Sequence, residues 1–249
     1  GLFNRGGLRL RKREYAAAAA DFERVIALVP RDPEGWFFRG LCRHALKDDG
    51  PAVADFTAAL KLDARHSRAL AWRSACHVDL GHAAEAIGDA EACLAIDGEN
   101  TIALASRGRA RLQLGQRPGA AADFYVAGTL AAQGGNHAGA VLLLGDSIGA
   151  EPTYSAHAAR ALSRTRLKDL QGAAADYRSA LDLAPADWPM REKVMRILES
   201  LKPELALLNH PGACASLRLP VGELGEDLGI VAAGEFKLDI PSSRDPNIL

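Results

Sequence analysis

The chain has 249 residues and a formal net charge of −1, so no overall field draws it to nucleic acid or to an anionic membrane surface. No run of about 18 apolar residues is present to span a bilayer as a helix, and no secretory signal opens the sequence. Forty-eight alanines and few aromatics favour closely packed helices, while five of the 12 prolines fall after residue 202.

Read in chain order, nearly the same helix is written several times. "AAADFERVIALVP" covers 18–30, "AVADFTAALKLD" covers 52–63, and "AAADYRSALDLAP" covers 173–185. Aligned on Ala18, Ala52, Ala86 and Ala120 the step is 34 residues, and a fifth copy at Ala173 stands 19 out of phase. Twelve residues before each alanine comes a small residue, Gly6, Gly40, Ser74, Gly108 or Ala161. Each copy reads as helix, turn, helix, with turns such as "LGH" (80–82) and "LGQ" (114–116), and with Pro or Gly near the joins between copies. One unit cannot bury its apolar stripe alone, whereas stacked units can, so the expected fold is all-α, a right-handed α-solenoid. Residue 1 already falls within the first repeat, which suggests a piece of a longer chain.

The expected organisation is repeats 1–4 over residues 1–134, an insertion or divergent linker over 135–153, repeat 5 over 154–187, a capping helix over 188–201 and an extended Pro/Gly-rich tail over 202–249. The capping helix carries Val194, Ile197 and Leu201 on one face and charges on the other. The tail holds "LGIVAAGEF" (228–236), too apolar for a free linker. Its Ile230, Val231 and Phe236 are therefore candidates for docking, on the solenoid or on a partner.

Two columns are unusual for being charged in every copy. Arg5, Arg39, Arg73, Arg107 and Arg160 form one; Asp21, Asp55, Asp89, Asp123 and Asp176, each 16 residues later, form the other. A second base stands four residues beyond each arginine: Arg9, Arg43, His77, Arg111 and Arg164. A phosphate-gripping stripe has no use for a carboxylate in step with every cation. An Arg–Asp bridge inside each unit explains the pairing, because such forks fix geometry through paired hydrogen bonds.

The period, "WFFRG" at 36–40, the recurring alanine, the aromatics Phe22, Phe56, Phe124 and Tyr177, and the terminal prolines together resemble tetratricopeptide repeats, over about 1–134 and 154–187. The 35-residue pentatricopeptide repeat, which reads RNA, fits the period and the second helix less well. The resemblance implies that first helices line a concave groove. Phe3, Leu10, Phe37, Leu41, His44, Val78, Arg109 and Leu112 are then its candidate partner-binding residues. The mostly apolar lining suits an amphipathic helix or an extended apolar segment. In one subclass a two-carboxylate clamp binds the acidic tails of heat-shock chaperones. Of the matching positions Phe3, Gly7, Phe38, Arg68 and Trp72, only Arg68 has the required type, which argues against that partner.

No catalytic constellation is visible. His44, His66, His77 and His82 crowd two units without a nucleophile at a recognisable spacing, and Cys42, Cys76, Cys93 and Cys214 form no CxxC pair and have no histidine at zinc-ligand spacing. The sequence therefore calls for no cofactor, metal or enzyme activity. Its cysteines read as reduced thiols in a cytoplasm-like compartment. The leading function is a non-catalytic scaffold that binds a helical or extended peptide of a protein partner within a larger assembly. The other reading is the helical module of a larger enzyme or RNA-associated complex whose active part lies outside this chain.

Overall fold

A computed structural model describes residues 1–208 and shows twelve helices there, with no strand among the described residues. They are α1 (Leu2–Arg11), α2 (Tyr15–Leu28), α3 (Pro33–Ala45), α4 (Asp49–Leu62), α5 (Ser67–Asp79), α6 (Ala83–Leu94), α7 (Thr101–Gln113), α8 (Arg117–Gln133), α9 (His137–Ala150), α10 (Tyr154–Arg166), α11 (Leu170–Leu183) and α12 (Arg191–Leu208). Each helix packs on the next in chain order, giving an all-α solenoid.

Two kinds of turn alternate. Between hairpins, a side chain caps the incoming helix: Asp32, His66, Asn100 and Thr153 each accept a backbone N–H of the first turn of α3, α5, α7 and α10. Within hairpins, the N–H of Glu14, Asp48, His82, Gln116, Asn136 and Asp169 reaches back five residues to a carbonyl at 2.8–2.9 Å. The residue before each has positive φ; glycine fills that place at 81, 115 and 135, and Arg13, Lys47 and Lys168 fill it elsewhere.

Gly6, Gly40 and Gly108 set the crossing inside their hairpins. A Cβ added to any of them would lie 2.8–2.9 Å from the ring of Phe22, Phe56 or Phe124 on the second helix. The third hairpin reverses the sizes: Ser74 replaces the glycine and Ala90 replaces the phenylalanine. There the Ser74 hydroxyl donates to the Ala86 carbonyl at 2.7 Å.

Residues 135–153 contain a complete helix. Gly128 of α8 meets Leu144 of α9 as Gly108 meets Phe124, at the same separation of 16, and a Cβ on Gly128 would lie 2.7 Å from Leu144 Cγ. Ala140 stands twelve residues after Gly128, in the anchoring alanine's place, and is fully buried. So α8 is the second helix of one hairpin and the first helix of the next. The jump from Ala120 to Ala173 resolves into a step of 20 to Ala140 and a step of 33 from there. Arg117 ties the two helices further, donating to the carbonyls of Gly149 and Ala150 at 2.7 and 3.0 Å. At the C-terminal end Val194, Ile197 and Leu201 of α12 cover Tyr177, Ala180 and Trp188 in one apolar cluster. Ile230, Val231 and Phe236 lie outside the described residues.

Candidate functional site

The charged columns converge on five buried carboxylates. Asp21, Asp55, Asp89, Asp123 and Asp176 are each at most 9% exposed. Arg39 grips Asp55 with Nε and Nη2 at 3.0 and 2.7 Å, and Arg5, Arg73, Arg107 and Arg160 make the same fork on their own aspartates. The second base comes in from one turn away. Arg9, Arg43, Arg111 and Arg164 each donate Nη1 to the same carboxylate at 2.8–2.9 Å. The same nitrogen also reaches a carbonyl at the start of the second helix, as from Arg164 to Gly172 at 3.1 Å. His77 stands 3.8 Å from Asp89 in the third hairpin. In four of the five hairpins one carboxylate thus joins two turns of the first helix to the second, while in the third Arg73 alone makes the fork and its Nη1 donates to the Thr57 hydroxyl at 3.1 Å.

Hydrogen bonding from Arg5 holds the Asp21 carboxyl below its ordinary range; burial opposes this, and the charges of Arg5 and Arg9 add to it. A folded-state pKa below the unfolded value of about 3.9 contributes stability that is complete above that pH and is lost as pH falls through the lower, folded value. Thermal melts followed by circular dichroism should therefore drop below about pH 4. Asp21→Asn should flatten that drop; an unchanged profile in the variant would detach the effect from this carboxylate.

Beside the ladder, first helices of three hairpins enclose a hollow of about 260 Å³ lined by His44, Trp72, Ala75, Asp79, Ala105 and Arg109, with Ile102 and Leu143 at its apolar side. It brings together two of the candidate groove residues, His44 and Arg109. Leu10 and Leu41 are half-buried, while Phe3 and Leu112 are exposed. Phe3 packs edge-on against Phe22 and Phe38, with ring centroids 5.7 and 5.3 Å away. Phe37 and Val78 are corrected: neither lines an open surface. Phe37 is 1% exposed, packed against Phe56 and beneath the guanidinium of Arg68, and Val78 is enclosed with Ala83, Ala86 and Ala110. Their side chains point along the stack, into the next helix, because a rotation of one column turns a groove position into an interhelical one. Trp72, one column over, reaches the hollow; in the sequence its position stands out only as one that departs from the clamp pattern.

A family model described as tetratricopeptide repeat matches residues 3–50 and 125–187. Over those two stretches the chain is similar to tetratricopeptide repeats. No curated protein matches the sequence. Among solved structures, a tetratricopeptide-repeat protein of Thermus thermophilus is similar at 20% identity and a TM-score of 0.47, over 80% of this chain and 97% of that one. One from Parabacteroides merdae has 17% identity and a TM-score of 0.47, over 80% and 82% of the two chains. MamA of Desulfovibrio magneticus has 18% identity and a TM-score of 0.47, over 73% and 92%.

One polar group is invisible in the sequence taken unit by unit. His44 Nδ1 lies 2.6 Å from Asp49 Oδ1 and 3.5 Å from Cys76 Sγ. The trio joins α3, α4 and α5 at the edge of the hollow, and the His44 ring stands 5.3 Å from that of Trp72. Histidine and cysteine are 32 residues apart, so only the stacking of two repeats reveals the contact. Burial raises the Cys76 pKa, and the Asp49 and Asp79 carboxylates raise it further; burial alone raises Cys42 and, as its largest cause, Cys93, both to about 11. Thiols in such surroundings are held protonated and are poor nucleophiles.

Proposed function

We propose that this chain is a non-catalytic interaction scaffold that receives a helical or short extended peptide of a protein partner along α3, α5 and α7. Tetratricopeptide repeats are generally protein-interaction modules, and no helix among the described residues is long and apolar enough to cross a membrane. The observation that carries the proposal is the hollow at Trp72. Its lining includes the apolar Trp72, Ile102, Ala105 and Leu143 and the opposite charges of Asp79 and Arg109, and its size suits one or two side chains. That combination selects an apolar anchor flanked by polar groups, the usual logic of peptide recognition. The Arg–Asp ladder serves repeat geometry in this reading, because its donors are already directed at buried carboxylates. Three buried free cysteines, Cys42, Cys76 and Cys93, suit a reducing compartment such as the cytoplasm, where the partner would be found.

The test is a displayed peptide library selected on the intact chain, followed by Trp72 fluorescence on titration with selected peptides. Ala75→Phe, which fills the hollow, should abolish binding with little change in melting temperature. Peptides that bind the filled variant equally well would sink the assignment of this groove.

A further inference from the structure

The boundary between the second and third hairpins departs from a rule the neighbouring boundary keeps. Three repeat columns meet at such a boundary, at steps of 34 residues. Between the third and fourth hairpins they hold Val78, Ala83 and Ala110, which form one apolar cluster with Ala86. Between the first and second they hold Leu10, Tyr15 and Cys42. Between the second and third they hold His44, Asp49 and Cys76. At the boundary between the third and fourth hairpins packing is satisfied by small apolar side chains, so the repeat does not require an imidazole, a carboxylate and a thiol. Placing them between the second and third carries a desolvation cost. Their side chains converge, with one donor atom from each within 4.8 Å of the others.

We propose that His44 Nδ1, Asp49 Oδ1 and Cys76 Sγ form a binding site for a divalent transition metal of the zinc class. A nitrogen, a carboxylate oxygen and a sulfur make a mixed set that suits a borderline-soft ion and does not suit calcium or magnesium, which take oxygen alone. Thiolate and carboxylate together balance a charge of +2, and the imidazole binds as the neutral tautomer with its proton on Nε2, which leaves the Nδ1 lone pair for the metal. On binding, the thiol proton leaves to solvent as the sulfur–metal bond forms. Three protein ligands leave one tetrahedral position for water or for Asp79, which follows Cys76 on α5 and lines the adjoining hollow. The hollow is also the entry path. Bonds of about 2.0–2.2 Å to nitrogen and oxygen separate those atoms by about 3.4 Å in a tetrahedron, so the 2.6 Å His44–Asp49 contact must open. Asp49 is the first residue of α4, where a side-chain rotation disturbs no preceding helical turn.

The test uses the whole chain, reduced and stripped by chelator, titrated with Co²⁺. A sulfur-to-cobalt charge-transfer band with tetrahedral visible bands should appear and saturate at one ion per chain. Zn²⁺ should displace the cobalt and raise the melting temperature. Cys42→Ala and Cys214→Ala should keep the band, and Cys76→Ala should lose it. The triple variant His44→Val, Asp49→Ala, Cys76→Ala copies the residues of the next boundary and so should retain the fold. It should show neither the band nor the zinc-dependent rise in melting. Asp49→Asn preserves shape and should lower cobalt affinity at least about tenfold, the least that losing a supporting group costs. No charge-transfer band in the reduced wild type, or a band that survives Cys76→Ala, overturns the proposal. The trio would then be a closed set in which Asp49 accepts from both His44 and Cys76.

Discussion

Asp55→Ala should destabilise the chain by about 3 kcal/mol, more than removal of either arginine that holds this carboxylate. Removing one partner of a buried ion pair costs about 3–5 kcal/mol, because the other charge is left without compensation. Asp55 is 2% exposed, and its loss strands two guanidiniums, those of Arg39 and Arg43. Their partial contact with water moderates the effect and places it at the low end. Arg39→Ala should cost less, since Arg43 still donates to Asp55 at 2.9 Å. The double variant should be little worse than Asp55→Ala alone, because both changes act on one interaction. Urea unfolding of the four proteins closes the cycle. Losses that simply add would show the contact to be energetically idle and would return the arginines to the list of ligand-binding residues.

Gly128→Ala should cost about 2–3 kcal/mol, at the upper end of what overpacking costs. The new Cβ would sit 2.7 Å from Leu144 Cγ and 3.2 Å from the Leu144 backbone nitrogen. A side chain can swing aside, but the nitrogen moves only if α8 and α9 separate. At Gly40 the near atoms are all on the Phe56 ring, so Gly40→Ala should be milder. Gly7 and Gly88 have nothing within 4 Å of the added atom. Alanine there should stabilise by up to about 1 kcal/mol through helix propensity. Denaturant midpoints for the four variants test the order. Equal effects at Gly128 and Gly88 would remove α8 from the first-helix role.

Much of the fold is legible in the sequence because one rule is repeated at a fixed step. The alanine, the small residue before it and the Arg–Asp spacing recur in five copies and so locate ten helices, and the apolar face of residues 188–201 locates an eleventh. The ninth escapes, and the eighth shows only one of its two roles, because two patterns overlap. Within α8 the first-helix signature is reduced to Gly128, and Ala127 and Leu143 stand where the arginine and aspartate would be. A helix buried on two faces also lacks a single apolar stripe, so its periodicity is weak. The candidate groove is legible as a set of helices but not as a set of side chains. Phe37 and Trp72 differ by one column, and that difference separates a core position from a lining one. The His44, Asp49 and Cys76 trio becomes visible only when repeats are laid over one another and read across a boundary, where one row turns from apolar to polar.

Linear arrays of repeats melt from their ends, since each unit leans only on its neighbours. Their stability is then a local quantity that declines toward either terminus. The double membership of α8 interrupts that behaviour. Opening its contact with α9 removes the first helix of one hairpin, and the same event loosens the second helix of the hairpin before it. Amide exchange should therefore be graded through α12, α11 and α10, then meet a block in which α7, α8 and α9 exchange together. A helix counted twice in the architecture acts as a cooperative lock, joining two stretches of an otherwise modular chain into one unfolding unit.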